Sequence, residues 1–354
     1  MAVDRIQSLK YRIPMEKLIL FIFVLSLYSI DLSAQNNGKS SVAQAEENRS
    51  GQIVLQEVFT MRSCGLNYTH AAVTLDQRGG SFNPSSSQPA ALTINGIPQS
   101  AIIEQAFLYY NIEGFAGNSA PFDFSFENSF GSVNTLTSLP LAFGPSACWD
   151  TNGSATFRND VTSLISGNGN YIINNFPVST SFPISADTNG AALFIIYSDP
   201  SANYVGNLYM SDGHEVATNN TDIISQIGGY MVGPTVINSA GFMIFADDQD
   251  FVPNGVNING VNIPFTDNDA FVFAEGPINL SSGQTSSQHI LDRGSDDCIS
   301  LSMTGVYFQE ADASMCLPES IPTMGEWSLI ILFILLLIVG IVSYTEFQLG
   351  KSQI

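Results

Sequence analysis

An all-β protein, a β-sandwich of jelly-roll type, is what this sequence predicts, and three observations carry the prediction. Short apolar runs are separated by clusters of Gly, Asn, Pro and Ser at the spacing of successive strands. Several runs alternate: Phe122, Phe124 and Phe126 fall on one face, and Asp123, Ser125 and Glu127 on the other. Helical periodicity is scarce between the two ends of the chain.

Strands are expected at Ala71–Leu75, Ile102–Ile112, Phe122–Glu127, Ser154–Val161, Gly169–Ile173, Ala191–Ser198 and Asn207–Ser211. Further ones follow at Ala240–Ala246, Val256–Ile258, Ala270–Glu275 and Ile299–Gln309. The run Ala191 to Tyr197 shows no alternation, as in a strand covered on both faces. Val161–Ile165 and Thr221–Ile227 read as one or two helical turns after a capping Asp160 or Thr221. The sandwich is expected over 53–312 as one domain.

The ends read differently. Lys10, Arg12 and Lys17 precede an apolar stretch from Leu18 to about Ile30, and small residues follow up to Ala34. That order describes a secretory signal over 1–34, with Met15 as an alternative start. Residues 35–52 are polar and read as a flexible leader. Residues 328–344 carry no charge and are long enough, as one helix, to span a bilayer core. A linker at 313–320 precedes this tail, and 345–354 follows it.

Composition excludes some partners. Net charge is -21, and between Gln35 and Trp327 there are six basic residues against 28 acidic ones. A nucleic-acid binder needs a basic stripe, and there is none. Divalent cations and neutral glycans remain compatible. The four cysteines, Cys64, Cys148, Cys298 and Cys316, show no metal-site spacing, and an even count in an exported chain predicts two disulfides. Three connectivities are open. If the first and last strands lie antiparallel side by side, Cys64 pairs with Cys316 and Cys148 with Cys298, which is the preferred pairing.

Ile321, Pro322, Thr323, Met324 and Trp327 stand directly before the apolar run. This segment, 321–328, resembles the IPTLxxWG motif of the IPTL-CTERM sorting domain, with Met324 for Leu and Ser328 for Gly. The resemblance implies a Gram-negative exported protein handled by an exosortase, an integral-membrane transpeptidase-like enzyme. It also implies release or attachment to extracellular polysaccharide. A second, looser resemblance rests on Arg158, Asp160, Val161 and Thr162 followed by Gly167, Gly169 and Tyr171. Bacterial secreted β-sandwich domains of unassigned function carry a similar pattern; Arg158 and Asp160 are read as pairing or capping a turn.

Chemistry-bearing constellations are sparse. His70, His214 and His289 are isolated, no GxSxG elbow occurs, and each reads as a surface or packing residue. Carboxylates such as Glu104, Glu113 and Glu275 are scattered rather than paired. Asp247, Asp248 and Asp250, followed by Asp267 and Asp269, sit in Asn/Gly-rich loops, where hard oxygen ligands suit structural Ca²⁺; solvated turns are the plainer reading. The reading is a non-enzymatic exported cell-surface or matrix protein, held by its membrane helix. A glycan-binding or glycan-cleaving module and an adhesin or polymer subunit are the alternatives.

Overall fold

The computed structural model describes residues 53–75, 88–115, 119–146, 152–178, 186–217, 221–247, 255–265, 271–294, 299–311, 316, 331–338 and 341. Ten strands form the first part: β1 (Ile53–Cys64), β2 (Leu66–Thr74), β3 (Ala90–Ile94), β4 (Ile102–Glu113), β5 (Asp123–Glu127), β6 (Val133–Thr137), β7 (Pro140–Gly144), β8 (Ser154–Asp160), β9 (Gly169–Asn174) and β10 (Asp187–Ser198). Eight complete it: β11 (Val205–Val216), β12 (Ile223–Gly228), β13 (Val236–Ala246), β14 (Gly255–Ile258), β15 (Val261–Ile263), β16 (Phe271–Pro277), β17 (Ser286–Asp292) and β18 (Ser300–Glu310).

Among the described residues four antiparallel sheets result, in the orders β2-β10-β4-β8-β7, β3-β9-β5-β6, β1-β11-β18-β13-β16 and β12-β17-β14-β15. Leaving out β7 and β1, each half reads 1-8-3-6 facing 2-7-4-5. That is the strand order of two Greek keys wound as a jelly roll. The single sandwich expected over 53–312 is therefore two sandwiches. The first strand crosses over: β1 sits at the edge of the second sandwich, beside β11.

Three cores separate four layers. In the first sandwich Phe124, Phe126 and Tyr171 face Leu108, Tyr110, Phe157 and Leu193. In the second, Ile223, Ile258 and Leu291 face Phe245, Leu301 and Phe308. The two larger sheets then pack back to back through Phe107, Phe194, Phe242 and Met303. This explains the unbroken apolar run in β10, which is buried along its whole length.

The back-to-back interface also holds a polar layer. Arg158 of the first sandwich pairs with Asp212 of the second, and the Tyr109 hydroxyl donates to the same carboxylate at 2.8 Å. Arg158 thus does not pair with Asp160. Asp160 instead accepts the Thr162 N–H at 2.9 Å in an Asx turn that leads into a short 3-10 turn at Thr162–Leu164, whose N-cap is Val161. The helical turn expected at Thr221–Ile227 is strand β12. Ile223 and Ile227 face the core from it, and it pairs with β17.

Two chain crossings between the sandwiches lie side by side. Gly65, at φ +62, links β1 to β2, and its N–H and C=O bond Tyr204 and Asp199 in the second crossing. Any side chain at Gly65 would collide with the Asp199 carbonyl, so the crossing requires glycine. Cys64, the preceding residue, is bonded to Cys316. The geometry differs from the expected one. The first and last strands are not paired in the sheet; they run parallel on either side of β11, with Cys64 and Glu310 both opposite Val205, and meet through the Arg62–Glu310 ion pair at 3.0 Å. Cys148 and Cys298 lie outside the described residues.

In the tail, 331–338 and 341 are helical with their apolar side chains exposed. No helix among the described residues is long and apolar enough to cross a membrane. The remainder of 328–344, the signal segment 1–34 and the leader 35–52 lie outside the described residues.

Candidate functional site

Three edge strands converge where the sandwiches meet on one side. They are β2 and β3 of the first sandwich and β16 of the second. Between them lies an open trough of about 450 Å³, lined by His70 to Thr74, Ala91, Thr93 and Phe271 to Phe273.

The pleat of β2 decides what faces it. Odd-numbered Ala71, Val73 and Leu75 pack into the core of the first sandwich, whereas Leu66 and Tyr68 face the second. His70, Ala72 and Thr74 continue that second face by alternation. The backbone follows the same parity. Leu75 N–H bonds Asn189 and Gly65 C=O accepts from Asp199, both at 2.9 Å, so odd positions bond toward the β10 side. In an antiparallel ladder the even positions then direct N–H and C=O outward. At Leu66 the outward carbonyl accepts from the Tyr307 hydroxyl at 2.7 Å. At His70, Ala72 and Thr74 the outward edge faces the trough, and no strand among the described residues pairs with it. Gly190, opposite Thr74 on β10, lets β16 approach closely; a Cβ there would strike Phe271.

One end of the trough carries a hydrogen-bonded triad. The His70 ring stacks on Phe273, with centroids 3.5 Å apart and planes at 7°, and its Nε2 lies 2.7 Å from the Glu275 carboxylate. The buried Tyr68 hydroxyl donates to the other Glu275 oxygen. Burial works to raise the Glu275 carboxyl, but the bonds from His70 and Tyr68 and the nearby imidazole outweigh it, leaving it below its ordinary range. Toward the other end Thr74 is buried, and its hydroxyl oxygen has no hydrogen-bond partner among the described residues.

His70 Nδ1 has no hydroxyl or thiol partner among the described residues. Among the described residues no nucleophile–base contact is formed at His70. What the trough offers is an array of donors and acceptors above small side chains.

The other histidines are core residues. His214 is held between Ser154 at 2.7 Å and Thr156 at 2.9 Å, and His289 between Ser287 and Thr304. Burial drives both imidazoles down to about 3. Asp247 is buried just beyond β13. Asp248, Asp250, Asp267 and Asp269 lie outside the described residues, as does the motif Ile321, Pro322, Thr323, Met324 and Trp327. Among the described residues no group of three or more His, Cys, Asp or Glu is arranged to hold a metal. Of the trough, only His70 and Glu275 drew notice in the sequence. Tyr68, Thr74 and Phe273 carry no motif; the alternation of β2 places the first two, and the approach of β16 to β2 places Phe273.

No family model and no curated protein matches the chain. Among solved structures it is similar to BuGH86 in complex with neoagarooctaose, at 10% identity and TM-score 0.25 over 71% of this chain and 33% of that one. BpGH86A, a beta-porphyranase of glycoside hydrolase family 86 from the human gut bacterium Bacteroides plebeius, is similar at 10% identity and TM-score 0.22, over 74% and 37%. A peptide-N(4)-(N-acetyl-beta-D-glucosaminyl)asparagine amidase is similar at 11% and 0.22, over 69% and 96%. The chain spans about a third of the two glycoside hydrolases. Scores this low carry no argument about its function.

Proposed function

We propose that this chain is an exported, non-enzymatic protein of the Gram-negative cell surface or extracellular matrix. In this reading a double β-sandwich is presented outside the cell and handled through its C-terminal tail by an exosortase-type enzyme. The observation that carries the reading is the Cys64–Cys316 bond, because such bonds persist in oxidising compartments.

Its position supports the tail mechanism. Cys316 precedes Ile321 by five residues, and five extended residues reach at most ~18 Å. The bond ties the body's first strand to the chain just before the sorting motif. In this reading the body therefore stands close to the membrane, with a short span presented to the enzyme. A proline such as Pro322 disfavours helix at the position before it, which suits a segment read by an active site. Trp327 suits the headgroup level. A helix over 328–344 is about 26 Å long, close to the thickness of the hydrocarbon core. It is apolar all round, which water does not accommodate and lipid does.

The test is fractionation of cells expressing the full chain or the Pro322→Ala/Trp327→Ala variant. The parent is expected at the surface or in the medium, and the variant as an unprocessed species in the membrane pellet. Identical distributions, or a parent found in the cytosol with free thiols, would overturn the reading.

A further inference from the structure

We propose that the trough between β2, β3 and β16 binds one or two rings of a neutral, hydroxyl-rich saccharide. The outward edge of β2, the Thr74 hydroxyl and the His70–Glu275 pair would supply the hydrogen bonds. This goes beyond the reading of the tail and does not depend on how the tail is handled.

Four features select the ligand class. First, donors and acceptors alternate. His70, Ala72 and Thr74 each turn one backbone N–H and one C=O outward, which matches hydroxyls that donate and accept at once. Second, Thr74 is a buried polar side chain whose oxygen lacks a partner among the described residues, and it lines the trough. Buried hydroxyls are normally satisfied, so an absent one points to a group that arrives from outside. Third, the exposed Ala72 and Ala91 are small, so a sugar ring can lie close to the backbone. Fourth, charge selects against anions. The Glu275 carboxylate stands at one end, and the whole chain carries -21. Sulfated or carboxylated sugars would meet repulsion that neutral ones do not. The volume of about 450 Å³ falls within the range of small-ligand sites.

An extended peptide added to β2 is the competing occupant, since an unpaired strand edge also accepts a strand. The saccharide is favoured because Thr74 and the His70–Glu275 pair add side-chain hydrogen bonds that strand addition does not use. The trough is also short, bounded by the triad at one end.

The experiment uses the full chain in a zwitterionic detergent free of sugar headgroups. Titration calorimetry is run with cellohexaose, maltohexaose and laminarihexaose, and with an eight-residue Thr/Val peptide. At least one hexasaccharide is expected to bind. Ala72→Trp, which fills the trough from an exposed position, should abolish binding with an unchanged melting temperature. Thr74→Val should weaken it about tenfold, the loss expected for one hydrogen bond, and Thr74→Ser should restore it. Failure of all three sugars to bind, binding unaffected by Ala72→Trp, or binding of the peptide alone would overturn the proposal.

Discussion

Cys316 is bonded to Cys64 at the residue before Gly65, where the chain passes from one sandwich to the other. One covalent link thus closes a loop with a sequence separation of 252 and secures the first strand, the crossing and the start of the tail together. Chain-entropy arguments place the stabilisation at up to about 5 kcal/mol for so long a loop. The Cys64→Ser/Cys316→Ser double variant should lose about 2–5 kcal/mol in urea unfolding. An unchanged midpoint would mean that the bond does not constrain the unfolded chain.

Arg158 and Asp212 make a charged contact between the two sandwiches. Asp212 is almost fully buried, and Arg158 lies partly exposed over the Phe107 ring. Removing one partner strands a buried charge, which costs about 3–5 kcal/mol, whereas removing both is far milder. Arg158→Met should therefore destabilise more than Arg158→Met/Asp212→Leu. Thermal denaturation of the set measures the difference.

Acid should weaken the fold before the carboxylates titrate. His214 and His289 have folded values of about 3, below the ordinary imidazole value, so they are neutral in the fold. The unfolded chain takes up protons below about pH 6.5 and the folded chain does not. Stability is complete above that pH and falls as pH drops toward 3, by about 1.4 kcal/mol per pH unit for each histidine. Denaturant midpoints between pH 6.5 and 5 should show this slope, and His214→Asn should flatten it by about half.

Thr74→Val tests the trough from the side of stability. The change keeps the shape and removes a buried hydroxyl without a partner among the described residues. It should raise stability by about 1 kcal/mol while weakening ligand binding. Gly190→Ala should do the opposite to the fold, because its Cβ strikes Phe271 and the Val73 carbonyl. A cost of about 1–3 kcal/mol is expected.

The all-β class was legible because alternation in residues such as Phe122, Phe124 and Phe126 depends only on local pleat. β17 was not legible. Its inward Ser287 and His289 are polar, and they are tolerated inside because they bond each other at 2.8 Å and His289 also bonds Thr304. At β12 Ile223 and Ile227 also fit a helical spacing, so local pattern favours a helical turn there; pairing with β17 decides the matter. Two sandwiches rather than one follow from back-to-back packing, which local pattern does not carry. The trough was invisible for the same reason. Tyr68 and Glu275 meet across 207 residues, and Arg158 finds Asp212 rather than Asp160.

The most direct test of export and tail handling is the intact mass of the protein recovered from envelope and medium, taken with and without reductant and alkylation. The account predicts a species lacking residues 1–34 and the apolar run 328–344, with Cys64 and Cys316 protected from alkylation until reduced. A mature species that retains 328–344, with both thiols free, would contradict it.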